Sequence, residues 1–132
     1  MLFNKTPRIN PLLTNLSEAF SEHELSKLSS LGTVVDLPAS AVLAREGAVG
    51  QEALVVISGT ANVVRDGQSI TTVGPSTILG EGALVTGEAR NASLIAESDL
   101  TVCVLNRREF NSWLDACPRI EAEVNALAAA RS

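Results

Sequence analysis

The stretch that decides the fold reads ALVVISGTANVVRDGQSITTV and covers residues 53–73. It contains three runs rich in residues that favour strands, at 53–58, 60–65 and 68–73. Asp66-Gly67 joins the last two runs, and this dipeptide indicates a tight hairpin because both turn residues need positive φ. The stretch therefore predicts consecutive antiparallel strands joined by short turns.

Further β-type runs lie on both sides of this stretch, at 33–37, 41–45, 91–96 and 101–105. About seven or eight short strands, punctuated by glycines, predict a closed antiparallel β structure. The chain has three Phe, one Trp and no Tyr, so the core must be aliphatic. We expect a β-roll, which is a jelly-roll-like barrel.

Helical spacing replaces the strand pattern before the β region. The apolar residues between Leu16 and Leu31 fall mostly three to five apart, which predicts one or two short amphipathic helices that stop at Gly32. Ser21 and Glu24 have the spacing of a capping box. This interpretation makes His23 an exposed residue in the first turn of a helix.

Two further helices are expected after the β region. Residues 107–116 place Phe110, Trp113 and Leu114 on one side, so Trp113 is interpreted as a core anchor. Pro118 opens the last helix, and its apolar stripe consists of Ile120, Val124 and Leu127. The expected fold class is mainly β with flanking helices.

Composition limits the class of protein. A chain of 132 residues makes one domain, which we place at 12–132 after a lead-in segment at 1–11. The formal net charge of −5 disfavours nucleic acid as a partner. No apolar run approaches the length of a membrane span, and no signal-peptide core begins the chain. We therefore expect a cytoplasmic protein without a membrane partner.

Catalytic and metal-binding residues are not expected. The single histidine, His23, cannot build a metal site with two distant thiols, Cys103 and Cys117. No nucleophile and base have the spacing of a hydrolytic triad. Cys103 lies in a strand pattern and is interpreted as a small core residue instead of a reactive thiol. The chain is therefore not expected to be an enzyme.

One segment, LGEGALVTGEARNAS at 79–93, departs from strand alternation. Residues 81–86 predict a short helical turn whose exposed N–H groups suit an anion. Arg90 offers a guanidinium fork for phosphate oxygens, and a carboxylate at Glu81 suits a neighbouring hydroxyl. Gly80 and Gly82 allow a ligand to approach the backbone closely. The candidate ligand-binding residues are Gly80, Glu81, Gly82, Ala83, Arg90 and Asn91.

This segment resembles the phosphate-binding cassette of cyclic nucleotide-binding domains, whose pattern runs roughly Phe-Gly-Glu-x-Ala-Leu, a spacer, and Arg-x-Ala-Thr. Arg45-Glu46-Gly47, Gly50 and the run 53–59 resemble the preceding part of the family pattern, and 106–110 resembles the start of its next helix. The resemblance covers roughly residues 12–128. It implies a β-roll with an N-terminal helix, a short phosphate-binding helix and two C-terminal helices.

The resemblance also implies residue roles. Gly80 and Glu81 would bind the ribose 2′-OH, the backbone at Gly82 and Ala83 would meet the cyclic phosphate, and Arg90 would pair with it beside Asn91. In the family, Thr after the arginine is associated with cGMP, and Ala or Ser with cAMP. Asn91 matches neither, and Gly82, Glu88 and Ala89 also depart from the usual residues. We expect cAMP to be favoured, with cGMP as the other candidate and no further cofactor.

The function that follows is a non-catalytic sensor that signals through movement of its C-terminal helix. Residues 118–130 are the candidate lid over the base. The chain ends at Ser132, before any helix-turn-helix, so we expect a protein partner instead of DNA, either as a stand-alone sensor or as part of a longer protein. A monomer or a weak homodimer through the last helix is expected.

Two other interpretations compete with the sensor. Glu81 and Arg90 can pair with each other as a structural salt bridge in an empty pocket. The whole domain can also be a degenerate cyclic-nucleotide-binding-like fold that serves only as a protein-interaction module.

Overall fold

The computed structural model describes residues 15–44, 52–79 and 92–131. Within these ranges the chain forms three helices with defined bounds and eight strands, and residues 15–16 are also helical. The helices are α1 (Glu22–Leu31), α2 (Arg107–Ala116) and α3 (Pro118–Arg131). The strands are β1 (Thr33–Leu37), β2 (Val42–Ala44), β3 (Glu52–Ser58), β4 (Ala61–Arg65), β5 (Gln68–Val73), β6 (Ile78–Leu79), β7 (Ser93–Ala96) and β8 (Leu100–Asn106).

The strands form two four-stranded antiparallel sheets. The first sheet has the order β1-β8-β3-β6 and the second has the order β2-β7-β4-β5. Consecutive strands alternate between the sheets at several points, as in a roll, and the helices lie outside it. This architecture confirms the expected fold class, a mainly β roll with flanking helices.

Strands β3 and β8 form the centre of the first sheet and are buried on both faces. Successive side chains of a strand point to opposite faces, so each strand supplies two sets of apolar residues. One set joins a helix-side cluster, and the other joins a roll cluster between the two sheets. The helix-side set is Ala53, Val55, Ile57, Cys103 and Leu105. The roll set is Leu54, Val56, Leu100 and Val102.

The helices cover the outer face of the first sheet. Ser21 and Glu24 form the predicted capping box at the start of α1, and α2 begins with a second one, formed by Asn106 and Glu109. Trp113 is fully buried, and its indole N–H donates to the carbonyl oxygen of Glu24 at 3.0 Å. The prediction of Trp113 as a core anchor is therefore confirmed.

Most of the predicted strands are present in the structure, and one short strand was missed. Asp66 and Gly67 have φ of 53° and 75°, so the predicted hairpin between β4 and β5 is confirmed. The two-residue strand β6 was not predicted, because two residues are too few for an alternating pattern. The predicted strand ends at Arg45 and Asn91 lie outside the described residues.

Gly32 ends α1 as predicted, but the reason is packing and not a left-handed backbone. Its φ of −90° and ψ of 171° are extended, and any residue can adopt them. A Cβ at this position would overlap the Sγ of Cys103 and press on the carbonyl oxygens of Val104 and Leu28. The glycine therefore allows the helix end to lie directly on strand β8.

We expect Gly32→Ala to destabilise the domain by about 1–3 kcal/mol, since the added methyl group overpacks a buried contact. Urea unfolding measures the change. Gly74→Ala is the matched control, because a Cβ at Gly74 would meet only the Gly59 carbonyl oxygen at 4.0 Å. Equal unfolding midpoints for the two variants would contradict the packing role of Gly32.

An ion pair joins the first and the last of the described helices. The Glu24 side chain is buried, and Arg119 of α3 contacts both of its oxygens, at 2.6 and 3.0 Å. The hydrogen bond from Arg119 lowers the pKa of Glu24, an effect that burial opposes and a bond from the Ser21 backbone reinforces. The depressed pKa means that this carboxylate stabilises the folded state above its unfolded pKa and loses that contribution as the pH falls through its folded pKa.

At pH 7 we expect Glu24→Gln to lower the free energy of unfolding by about 1–2 kcal/mol, since a charge-assisted bond is lost to a half-exposed arginine. The difference from wild type shrinks as the pH falls below about 4, because unfolded Glu24 then takes up a proton, and the difference is lost when the folded carboxylate is protonated at lower pH. Urea unfolding curves at several pH values across this range measure the difference in the free energy of unfolding. Glu22→Gln, at an exposed residue of the same helix turn, controls for the general effect of charge near the helix start. If the free energies of unfolding of wild type and Glu24→Gln differ by the same amount at every pH, the ionised Glu24 does not stabilise the fold as proposed.

Candidate functional site

The two ends of the roll differ in how the chain connects its strands. At one end β1, β3, β5 and β7 lead into short turns at 38–41, 59–60, 74–77 and 97–99. Hydrogen bonds join these turns to each other and to the strands. The backbone N–H of Ala39 donates to Asp99 Oδ1 at 3.2 Å, and that of Thr60 donates to Ser98 Oγ at 3.0 Å. We call this end the closed end.

At the opposite end, which we call the open end, the chain passes between sheets and helices. The register places there the first residues of β1, β3 and β7 and the last residues of β2, β6 and β8. The two longer connections, 45–51 and 80–92, begin and finish at this end. The open end is therefore where the loops of the roll can form a site.

A cavity of about 510 Å³ lies between the sheets and is lined mainly by their inner faces. Its apolar wall comes from β1, β2, β3 and β8, and its polar residues lie together. The apolar residues are Val35, Leu37, Val42, Leu43, Leu54, Val102 and Val104. The polar residues are Thr33, Glu52, Asn106 and Glu109.

All four polar lining residues lie at the open end. Thr33 and Glu52 begin their strands, Asn106 ends β8, and Glu109 is in the first turn of α2. The Asn106 backbone N–H donates to Glu109 Oε1 at 2.8 Å, and the Glu109 backbone N–H donates to Asn106 Oδ1 at 2.8 Å. This capping box fixes one side of the cavity mouth. The sequence analysis did not find it, although the Asn-x-x-Glu spacing is its signal.

The lining has a definite chemical character. Its wall is aliphatic and suits an apolar ring, whereas Glu52 and Glu109 make the mouth acidic. The described lining residues include no Lys or Arg. An anionic ligand would therefore need a cationic partner from another part of the chain.

The predicted ligand-binding residues fall in one of the two longer connections. Gly80, Glu81, Gly82, Ala83, Arg90 and Asn91 lie outside the described residues. Strand β6 runs towards the open end and leads into this connection at Leu79, which pairs with the cavity-lining Leu54. Strand β7 leaves the open end at Ser93. Both strands that flank the predicted cassette thus meet it at the open end of the roll.

The described thiols are not arranged for chemistry. Cys103 is fully buried, and burial, together with the charge of Glu109, raises its pKa to about 12. Burial also raises the pKa of Cys117. Both thiols are therefore protonated near neutral pH, which agrees with the interpretation of Cys103 as a small strand residue.

Neither a metal cluster nor a spanning helix appears in the part of the chain that the structure describes. No three His, Cys, Asp or Glu residues there are grouped to hold a metal ion. No helix in those ranges is long and apolar enough to cross a membrane. His23 is exposed at the start of α1, and its Nε2 lies 3.2 Å from the carbonyl oxygen of Ala116.

The buried side chains of α3 that the structure describes belong to the helix-side cluster, and none of its described residues lines the cavity. Ile120 and Val124 belong to the helix-side cluster and are fully buried, whereas Leu127 is half-buried. The described lining residues of the cavity include none from α3. The first two members of the predicted apolar stripe are therefore buried among helices, and the movement of α3 over a ligand stays a prediction.

Two sheets around a cavity, with helices on one side, define the class of β-roll ligand-binding domains. The family model for the cyclic nucleotide-binding domain matches residues 34–117. The chain belongs to this family. The resemblance based on the cassette and the flanking glycines is thus confirmed at the level of the family.

Relatives and solved structures agree with this assignment. A cyclic nucleotide-gated potassium channel of Mesorhizobium japonicum is 30% identical over 84 residues, which are 64% of this chain and 23% of the channel. The catabolite activator protein of Thermus thermophilus superposes with a TM-score of 0.75 at 25% identity, covering 92% of this chain and 57% of that one. The regulatory domain of Toxoplasma gondii PKA, crystallised with cAMP, superposes with a TM-score of 0.63 at 28% identity. The match covers 83% of this chain and 44% of that one. The chain spans 23% to 27% of the length of the curated relatives it matches.

Proposed function

We propose that this chain is a non-catalytic sensor that binds a cyclic nucleotide in the cavity between its two sheets. The observation that carries the proposal is the place of the cavity mouth, at the end of the roll where β6 and β7 meet the predicted cassette. Membership of the cyclic nucleotide-binding domain family supports it. The cavity volume of about 510 Å³ also falls in the range of small-molecule sites.

The charges of the cavity favour one way of holding the ligand. The aliphatic wall receives the base, and the acidic residues Glu52 and Glu109 disfavour a phosphate that has no cation beside it. Arg90 supplies this cation, with the backbone at Gly82 and Ala83. Glu81 accepts from the ribose 2′-OH, beside Gly80 and Asn91.

We favour cAMP over cGMP as the ligand, because the residue after Arg90 is not the threonine associated with cGMP. The co-crystal of the Toxoplasma regulatory domain with cAMP supports this choice. The ratio of the two affinities is the direct test of what Asn91 contributes.

The signal is a shift of α3 between docked and released states when the nucleotide binds. The receiver of the signal is a protein partner, and the domain is a monomer or a weak homodimer through α3. Reducing conditions in the cytoplasm suit its two free cysteines, and we place the protein there.

We expect calorimetric titration to show saturable binding of cAMP to the wild-type chain and weaker binding of cGMP. Arg90→Ala should weaken binding roughly ten- to hundredfold, since a charge-assisted hydrogen bond contributes about 1.5–3 kcal/mol. Arg108→Ala is the matched control, because Arg108 is an exposed arginine in the first turn of α2 and outside the cavity lining. The protein is refolded from denaturant before the titration, so that any nucleotide retained from the cell is removed.

The same samples distinguish the sensor from the degenerate module. A ligand at a hundred times its Kd stabilises the folded state by about 2.7 kcal/mol, which raises the melting temperature. An unchanged melting temperature and no heat with either nucleotide would refute the sensor and favour a protein-interaction module. Equal loss of binding in Arg90→Ala and Arg108→Ala would refute the role of Arg90.

A further inference from the structure

The Glu24 side chain is a buried carboxylate with three donors. Only 6% of the residue is exposed, and it is the only buried charged residue in the part of the chain that the structure describes. Its Oε1 accepts from Arg119 Nη2 at 2.6 Å and from the Ser21 backbone N–H at 2.8 Å. Its Oε2 accepts from Arg119 Nε at 3.0 Å. The arginine thus contacts the carboxylate in the bidentate fork geometry, which is the strongest form of this pair.

Further bonds make Glu24 and Arg119 the meeting point of the helical layer. The carbonyl oxygen of Glu24 accepts from the indole N–H of Trp113 in α2. The Nη2 group of Arg119 also donates to the carbonyl oxygen of Ala19, which precedes α1, at 3.0 Å. Four parts of the chain, the segment before α1 and the three helices, therefore meet at one ion pair.

The buried side chains of α3 that the structure describes lie near the beginning of the helix. Ile120 and Val124, in its first two turns, are its fully buried side chains among those described. Beyond Val124, the described side chains are exposed or half-buried. The second ion pair of Arg119, with Glu123 at 3.4 Å, lies within α3 and cannot hold the helix to its neighbours. The buried side chains of α3 among those described, together with the bonds of Arg119 to Glu24 and Ala19, thus all lie in the first half of this fourteen-residue helix.

We propose that the Glu24–Arg119 pair is a latch that keeps α3 docked on α1, and that breaking it frees α3 while the β-roll stays folded. The pair connects α3 only to the helical layer, and neither of its residues is among the described lining residues of the cavity. The roll has its own cluster of buried residues between the sheets, and release of α3 leaves that cluster in place. The proposal concerns the contacts within the helical layer, and its test needs no nucleotide.

Hydrogen exchange of the full chain, read by mass spectrometry of peptides, tests the latch. In Glu24→Gln and in Arg119→Met we expect amides of α3 to exchange about tenfold faster than in wild type, since a loss of about 1.4 kcal/mol in docking is tenfold in an opening equilibrium. Amides of β3 and β8 should exchange more slowly than those of α3 in wild type and in both variants, because α3 opens while the roll stays folded. Glutamine is as suitable as glutamate at the third helical position of a capping box, so α1 is preserved in Glu24→Gln.

Glu123→Gln is the matched control, since it removes the Arg119 contact within α3 and leaves the Glu24 contact in place. Its α3 amides should exchange as in wild type. The double variant Glu24→Gln/Arg119→Met should be no faster than the faster single variant, because both changes break one contact.

Three results would overturn the latch. The first is wild-type exchange of α3 in Glu24→Gln and Arg119→Met. The second is one common opening free energy for α3, β3 and β8 in wild type and in the variants, which would mean that α3 leaves only when the whole domain unfolds. The third is an additive effect in the double variant, which would mean two separate contacts. None of these results depends on nucleotide binding, so the latch and the proposed function can fail separately.

Discussion

The antiparallel pairing of β3 with β8 is the constraint on which the other layers depend. Both strands are buried on both faces, so their alternating side chains supply the core under the helices and the core between the sheets at once. A slip of one residue in β8 would exchange its two faces and place Cys103 and Leu105 in the roll. The position of Gly32 against Cys103 and that of the capping box at the cavity mouth both rest on this register.

The same register decides where a ligand can enter. Short turns tied by hydrogen bonds close one end of the roll, and the longer connections lie at the other. An aliphatic wall with an acidic mouth accepts an uncharged ring readily but needs a cation from the loops to accept a phosphate. The sheets thus provide the shape of the cavity, and we propose that the predicted cassette provides the cation.

Local signals in the sequence were sufficient to predict most of the helices and strands. The Asp66-Gly67 turn, the capping box at Ser21 and the proline at 118 act over a few residues, and the hairpin and helices that they predict are present. Contacts between distant residues left no such signal. The pairing of Glu24 with Arg119 joins residues 95 apart. Gly32 was recognised as a helix stop, but its contact with β8 depends on the fold.

The candidate site was likewise only partly predictable from the sequence. The cassette 79–93 carries a local motif, so its ligand-binding residues could be proposed from the sequence, and they stay predictions. The cavity wall comes from four strands spread over residues 33–106, and the capping box at its mouth became evident only with the fold. A motif can identify the loop of a site, whereas its walls follow from the register of the sheets.

Methyl NMR during titration with cAMP tests most directly whether the space between the sheets is the nucleotide site. The account predicts shifts for the methyl groups of Leu54, Val102 and Val104, which line the cavity. The neighbouring methyl groups of Val55 and Leu105, on the opposite faces of the same strands, should keep their positions. Shifts confined to the helix-side methyl groups, or none at saturating nucleotide, would contradict it.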